Sequence, residues 1–195
     1  MLVEDAILGR RSVKVFDSRP VPREAIERCL LLATLAPNHK LTEPWRFTVV
    51  MGEARTKLSD QVYQDLKAID SCLSSTQLEA SMLKYHRQIH SAPVIIVTYA
   101  LGDDNPIRSQ ENYAATAAAI ENMLLTAYSI GLGAIWRTGS IFEGDHVRNF
   151  LRSPAHSQFV GAIYLGYSAG RDVPRRRTDA SKLTYWVPMN GETQI

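Results

Sequence analysis

Val94-Ile95-Ile96-Val97-Thr98-Tyr99-Ala100, entered through Pro93, is a continuous apolar run rich in β-branched residues. Such a run is expected of a strand covered on both faces, and it predicts the middle of a sheet. Partners lie on either side of it in the chain. Trp45, Phe47, Val49 and Met51 alternate with Arg46, Thr48 and Val50, which gives a second strand. Gly133-Ala134-Ile135-Trp136-Arg137 reads as a short strand running into the turn Thr138-Gly139-Ser140, and Phe159 to Tyr167 as a fourth, with Gly166 at its exit.

Helical spacing fills the intervals. Leu2, Val3, Ala6, Ile7 and Leu8 mark a short helix; Ile26, Cys29, Leu30 and Ala33 mark one that starts at Arg23 and ends near Ala36-Pro37. Leu58, Val62, Leu66 and Ile69 mark a third, broken by the polar cluster Ser71 to Thr76, and Leu78, Met82, Tyr85 and Ile89 a fourth. The longest pattern, about Arg108 to Ile130, has an alanine-rich middle from Ala114 to Ala119, and Val147, Phe150 and Leu151 suggest a last short helix. The alanines fit a buried core helix or a spine shared between two subunits, and both readings stay open here. About four strands interleaved among more numerous helices predict an α+β or mixed α/β sandwich of helices on one sheet, a single domain over residues 1–195.

Composition narrows the function classes. A hydrophobic fraction of 45%, a charged fraction of 22% and a net charge of +2 are those of an ordinary soluble globular protein and do not imply nucleic acid. No window reaches the ~18 apolar residues of a membrane span, and the acidic Glu4 and Asp5 do not suit an export signal. Cys29 and Cys72 lack metal-ligand spacing and are expected as reduced thiols, which fits a cytoplasmic protein. His86 and His90 share a helix face without a third ligand, so no metal is expected; Asp103-Asp104 reads as a turn device. Dinucleotide-binding, Walker, nucleophile-elbow and zinc-protease motifs are absent.

Two basic clusters remain. Gly9-Arg10-Arg11-Ser12-Val13-Lys14 offers planar guanidinium forks, a point charge and a hydroxyl, a set suited to phosphate. The same cations also suit a helix C-terminus, where they oppose the negative end of the macrodipole. Arg175-Arg176-Arg177 lies in a basic, proline-punctuated tail, followed by an apolar patch of Leu183, Tyr185, Trp186 and Val187 that is expected to dock on the chain's own core or a partner's. A nucleic-acid patch is disfavoured, because no aromatics interleave with the arginines for base stacking.

Taken together, Arg10-Arg11-Ser12 with Lys14 and Phe16, Ala36-Pro37-Asn38-His39-Lys40, Glu43-Pro44-Trp45-Arg46-Phe47, Gly131-Leu132-Gly133-Ala134-Ile135-Trp136-Arg137-Thr138-Gly139 and Leu165-Gly166-Tyr167 resemble the FMN-dependent nitroreductase family, above all its small bacterial YdjA-type members. The resemblance spans nearly the whole chain. It implies a nitroreductase-like α+β fold with a central mixed sheet flanked by helices, in an intertwined homodimer that binds FMN at the subunit interface. Arg10, Arg11 and Ser12 would hold the ribityl phosphate, joined by Arg175 and Arg177, and Lys14 would lie toward the pyrimidine edge of the ring as the residue that affects the redox chemistry. Pro37, Asn38 and His39 would approach the same flavin from the other subunit, and Trp136, Arg137 and Thr138 would cover another side of it. Leu35 stands where many YdjA-type members carry a basic residue, so one polar flavin contact is in doubt.

The activity implied is hydride transfer from NAD(P)H through FMN to a small acceptor such as a nitroaromatic, quinone or activated alkene, in a ping-pong cycle. The alternative is a flavin-binding or flavin-sensing protein on the same fold without turnover.

Overall fold

The computed structural model describes residues 1–69, 74–170 and 176–187. Its four strands are β1 (Trp45–Met51), β2 (Val94–Leu101), β3 (Gly133–Arg137) and β4 (Ser157–Gly166), in the spatial order β1-β2-β4-β3. The apolar run of β2 is central, and residues 94–100 are all buried. All three strand pairings are antiparallel: Trp45 opposes Ala100, Val94 opposes Leu165, and Gly133 opposes Gly166. Among the described residues, the one parallel pairing is a bridge outside the strands, between Ser12 and Ala134.

Helices cover both faces. α1 (Val3–Gly9), α2 (Arg23–Ala33) and α5 (Pro106–Ser129) lie on one side; α3 (Ala54–Ile69), α4 (Ser75–Ile89) and α6 (Asp145–Phe150) lie on the other. Because strand side chains alternate, Val94, Ile96 and Ala100 of β2 face α2 and α5, while Ile95, Val97 and Tyr99 face α3 and α6. On α5, Ala115, Ala119, Ile120, Met123 and Ala127 recur at helical spacing and enter the first of these cores, so Ala115 and Ala119 pack within their own chain, while Ala114 is exposed and Ala117 and Ala118 are half-buried. α5 begins two residues before the expected Arg108, since Pro106 suits a first helical turn and the Asn105 side chain accepts from the Ile107 N–H at 2.9 Å. Gly131, at φ 80°, then turns the chain out of the helix.

Other expectations meet their local causes. Asp103 accepts from the Asn105 N–H at 2.8 Å and shapes the turn before α5. Ser74 and Gln77 form the capping box that starts α4. Cys29 is buried in α2, and burial pushes its thiol up to about 11; Cys72 lies outside the described residues. The rings of His86 and His90 stack on each other, 4.2 Å apart.

Candidate functional site

α1 is seven residues long and ends against α5. Gly9 is required there, because a Cβ at this position would collide with the Tyr128 hydroxyl. The chain then leaves the helix at Arg10, and residues 12–17 run along the edge of the sheet. Val13 N–H donates to the Ala134 carbonyl, Asp17 N–H donates to Tyr167, and the Val15 carbonyl accepts from Ala169, each at 3.0 Å. Val13 turns inward onto Gly133, whereas Ser12 and Lys14, on either side of it, are exposed.

The two arginines are held differently. Arg11 Nη1 donates to the carbonyls of Leu8 and Arg10, at 2.6 and 2.8 Å, and thereby caps the C-terminal end of α1. Arg10 instead pairs with α5, its Nε 3.2 Å from Glu121 Oε1. Arg10, Arg11 and Ser12 line one cavity of about 360 Å³ with Ile7, Leu8 and Arg177. The two ends of the chain thus meet in a cationic cradle. A smaller cavity of about 150 Å³ adjoins it, walled by Gly9, Arg10, Tyr128 and the Gly131–Ala134 stretch. Lys14 lines neither cavity, and Arg175 lies outside the described residues.

Pro37, Asn38 and His39 are elsewhere. The Asn38 side chain accepts from the Glu43 N–H at 3.0 Å and donates to the Ala36 carbonyl at 3.3 Å. Between them His39–Leu41 makes a single 3-10 turn, and Lys40, Leu41 and Glu43 all adopt positive φ (53°, 53° and 42°). Three non-glycine residues in the left-handed region store strain, as functional loops often do. Thr42 fixes the loop to α5 by donating to Asn112 Oδ1 at 3.1 Å. The loop is tied to α5 at Asn112, whereas Arg10 meets α5 at Glu121 and the smaller cavity meets it at Tyr128, roughly 14 and 24 Å further along at 1.5 Å per residue. Within one chain, the loop and the cradle do not converge.

Trp136, Arg137 and Thr138 end β3, and neighbouring side chains of a strand face opposite ways. Trp136 lies on the α5 side and donates through Nε1 to the Val160 carbonyl at 3.1 Å; its indole occupies the space that only Gly161 leaves open. Arg137 lies on the other side, its guanidinium carbon 5.0 Å from the centre of the Tyr164 ring. Its buried Nε has no partner among the described residues. Thr138 is exposed. The three side chains do not form one wall.

Two further residues shape these regions. Glu121 is the sole charged residue of α5 between Asn112 and Ile130, and that isolation in an apolar helix is the sequence signal that marks it. Asp65, buried on α3, caps α6 from a distance: Oδ1 accepts from the His146 N–H at 2.9 Å and lies 2.9 Å from His146 Nδ1, and Oδ2 accepts from the Val147 N–H at 3.0 Å. Burial opposes ionisation of this carboxyl, but the hydrogen bonds from Val147 and His146 outweigh it and hold the group below the usual carboxylate range.

Fold and site define a class: an α+β protein whose helix-flanked antiparallel sheet carries a cationic cradle at one edge. The chain belongs to the Nitroreductase family, whose model matches residues 7–167. It is 27% identical over 177 residues to Bacillus subtilis YfhC, covering 91% of this chain and 90% of that one, and 29% identical over 164 residues to Escherichia coli YdjA, covering 83% and 86%. Both are assigned as NAD(P)H nitroreductases. Among solved structures, a nitroreductase-like protein from Bacillus cereus superposes with a TM-score of 0.85 at 28% identity, covering 96% of each chain. One from Desulfovibrio desulfuricans, solved in complex with FMN, superposes with a TM-score of 0.71 at 24% identity, covering 97% and 98%. The family places the chain among the oxidoreductases, and the likeness to YdjA agrees with the resemblance in the sequence.

Proposed function

We propose that this chain is a homodimeric flavoenzyme that binds FMN and uses NAD(P)H to reduce a small organic acceptor. The observation that carries this reading is the cavity where Arg10, Arg11, Ser12 and Arg177 converge. Its donors suit a phosphate dianion: guanidinium groups for charge-assisted hydrogen bonds and a hydroxyl to complete them. Arg175, two residues before Arg177, extends the same role in the sequence. When bound, FMN supplies the two-electron chemistry, accepting hydride from NAD(P)H and passing it to a nitroaromatic, quinone or activated alkene in a ping-pong cycle.

The chain's own residues anchor and orient. Ser12 and the arginines hold the phosphate at the end of α1, and exposed Lys14, on the same outward side as Ser12, is the cation directed toward the pyrimidine edge of the ring. The end of β3 at Trp136, Arg137 and Thr138 borders another side of the cofactor, and the Pro37-Asn38-His39 loop approaches it from the second copy. Two observations support a dimer. The loop is tied to the first half of α5 and the cradle to its second half, and an open apolar groove of about 400 Å³ runs between α1, α2 and α5, lined by Leu2, Val3, Leu32, Leu35 and Leu125 among others. Ile7, Leu8 and Leu31 are also exposed on these helices.

The test is spectroscopic. Purified protein loaded with FMN is expected to show bound-flavin absorbance that NAD(P)H bleaches anaerobically and a quinone restores. Protein that gains no bound flavin defeats the cofactor assignment. Bound flavin that NAD(P)H fails to reduce defeats the enzyme assignment.

A further inference from the structure

The two cradle arginines differ in what fixes them. Arg11 is tied to backbone carbonyls of its own turn, so its placement follows from the end of α1. Arg10 has no such tie. Among the described residues, the polar group that engages its guanidinium is the Glu121 carboxylate, 3.2 Å from Nε. Arg10 lines both cavities of the site, and Glu121 lines neither. The carboxylate therefore touches the guanidinium without facing the space a ligand would fill.

We propose that Glu121 is a positioning residue that holds the Arg10 guanidinium in the cradle before FMN arrives; this rests on the FMN reading above. An unheld arginine loses side-chain freedom when it grips a phosphate, and a counter-charge that fixes it beforehand removes part of that cost. The same carboxylate also repels the phosphate, and the two effects must be weighed. The Glu121 side chain is 46% exposed against 23% for that of Arg10, so its longer-range repulsion passes through solvent and is screened by salt. Its contact with Arg10 is direct, and positioning prevails. The isolation of Glu121 in an otherwise uncharged stretch of α5 agrees with a specific role, because a solvated helix face would carry more than one charge.

The test is a double-mutant cycle on the intact dimer, with FMN and riboflavin titrated against the wild type, Glu121→Gln, Arg10→Ala and the double variant. Glu121→Gln keeps volume and polarity and removes the charge. It is expected to raise the FMN Kd by about three- to tenfold, with riboflavin binding unchanged because riboflavin lacks the phosphate. In the Arg10→Ala background it is expected to add no further loss. An FMN Kd that stays the same or falls in Glu121→Gln overturns the proposal, as does an equal loss for riboflavin or an additive loss in the double variant. A wild type that binds neither flavin defeats the FMN reading itself and this proposal with it, and that result is distinct from the others.

Discussion

The cradle and the Pro37–His39 loop are built by opposite means. The cradle is assembled by distant parts of its own chain: the turn after α1, the edge of β3, Glu121 on α5 and Arg177 from the far end. The loop is shaped almost entirely by itself, through the Asn38 hydrogen bonds and three left-handed residues, with Thr42 pinning it to α5. One region has its own chain's partners. The other is held in a costly conformation away from the cradle of its own chain, which makes sense if the group it serves belongs to a second copy.

The largest expected effect comes from dismantling the cradle. Arg10→Ala with Arg177→Ala removes two charge-assisted contacts, each worth about 1.5–3 kcal/mol, so FMN binding should weaken by at least a hundredfold in a titration while riboflavin binding changes little. A riboflavin loss of equal size would mean that the arginines shape the protein and do not bind phosphate.

A smaller effect, confined to stability, marks a region outside the comparison. Asp65→Ala strips α6 of the acceptor for two backbone N–H groups and should lower unfolding free energy by about 2–3 kcal/mol in urea, with FMN affinity per folded molecule preserved. The pH dependence has a definite sign. Folding depresses the Asp65 pKa, so the stabilisation is present above the ordinary value of 3.8 and is lost as pH falls through the lower folded-state value. The gap between wild type and Asp65→Asn should therefore be full near pH 6 and shrink below about pH 3.8. A gap that widens on acidification would remove the capping account.

The comparison also shows what a sequence can carry. The strands are legible because they rest on local periodicity: the run at Val94 is β2, and the bounds of β3 coincide with Gly133 and Arg137. The basic cluster is legible both as a set suited to phosphate and as a helix end: Arg11 caps α1, and Arg10, Arg11 and Ser12 line one cavity. Contacts between distant positions are not written in any window. Ser12 against Ala134, Arg10 against Glu121 and Asp65 against His146 each depend on the assembled fold. The left-handed turn at Lys40 and Leu41 has no glycine to announce it. The opposite facing of Trp136 and Arg137 follows from a period of two.

In the function proposed above, one FMN site takes its cradle from one chain and its loop from the other. A mixed dimer tests it most directly. One chain carries Arg10→Ala and Arg177→Ala, its partner carries Asn38→Asp and His39→Asp, and each pure homodimer should be flavin-free. If the site is shared, the heterodimer regains one intact site and binds one FMN per two chains, reducible by NAD(P)H. A heterodimer that binds none, from chains whose wild-type dimer binds two, would place cradle and loop of a site in the same chain and contradict the account.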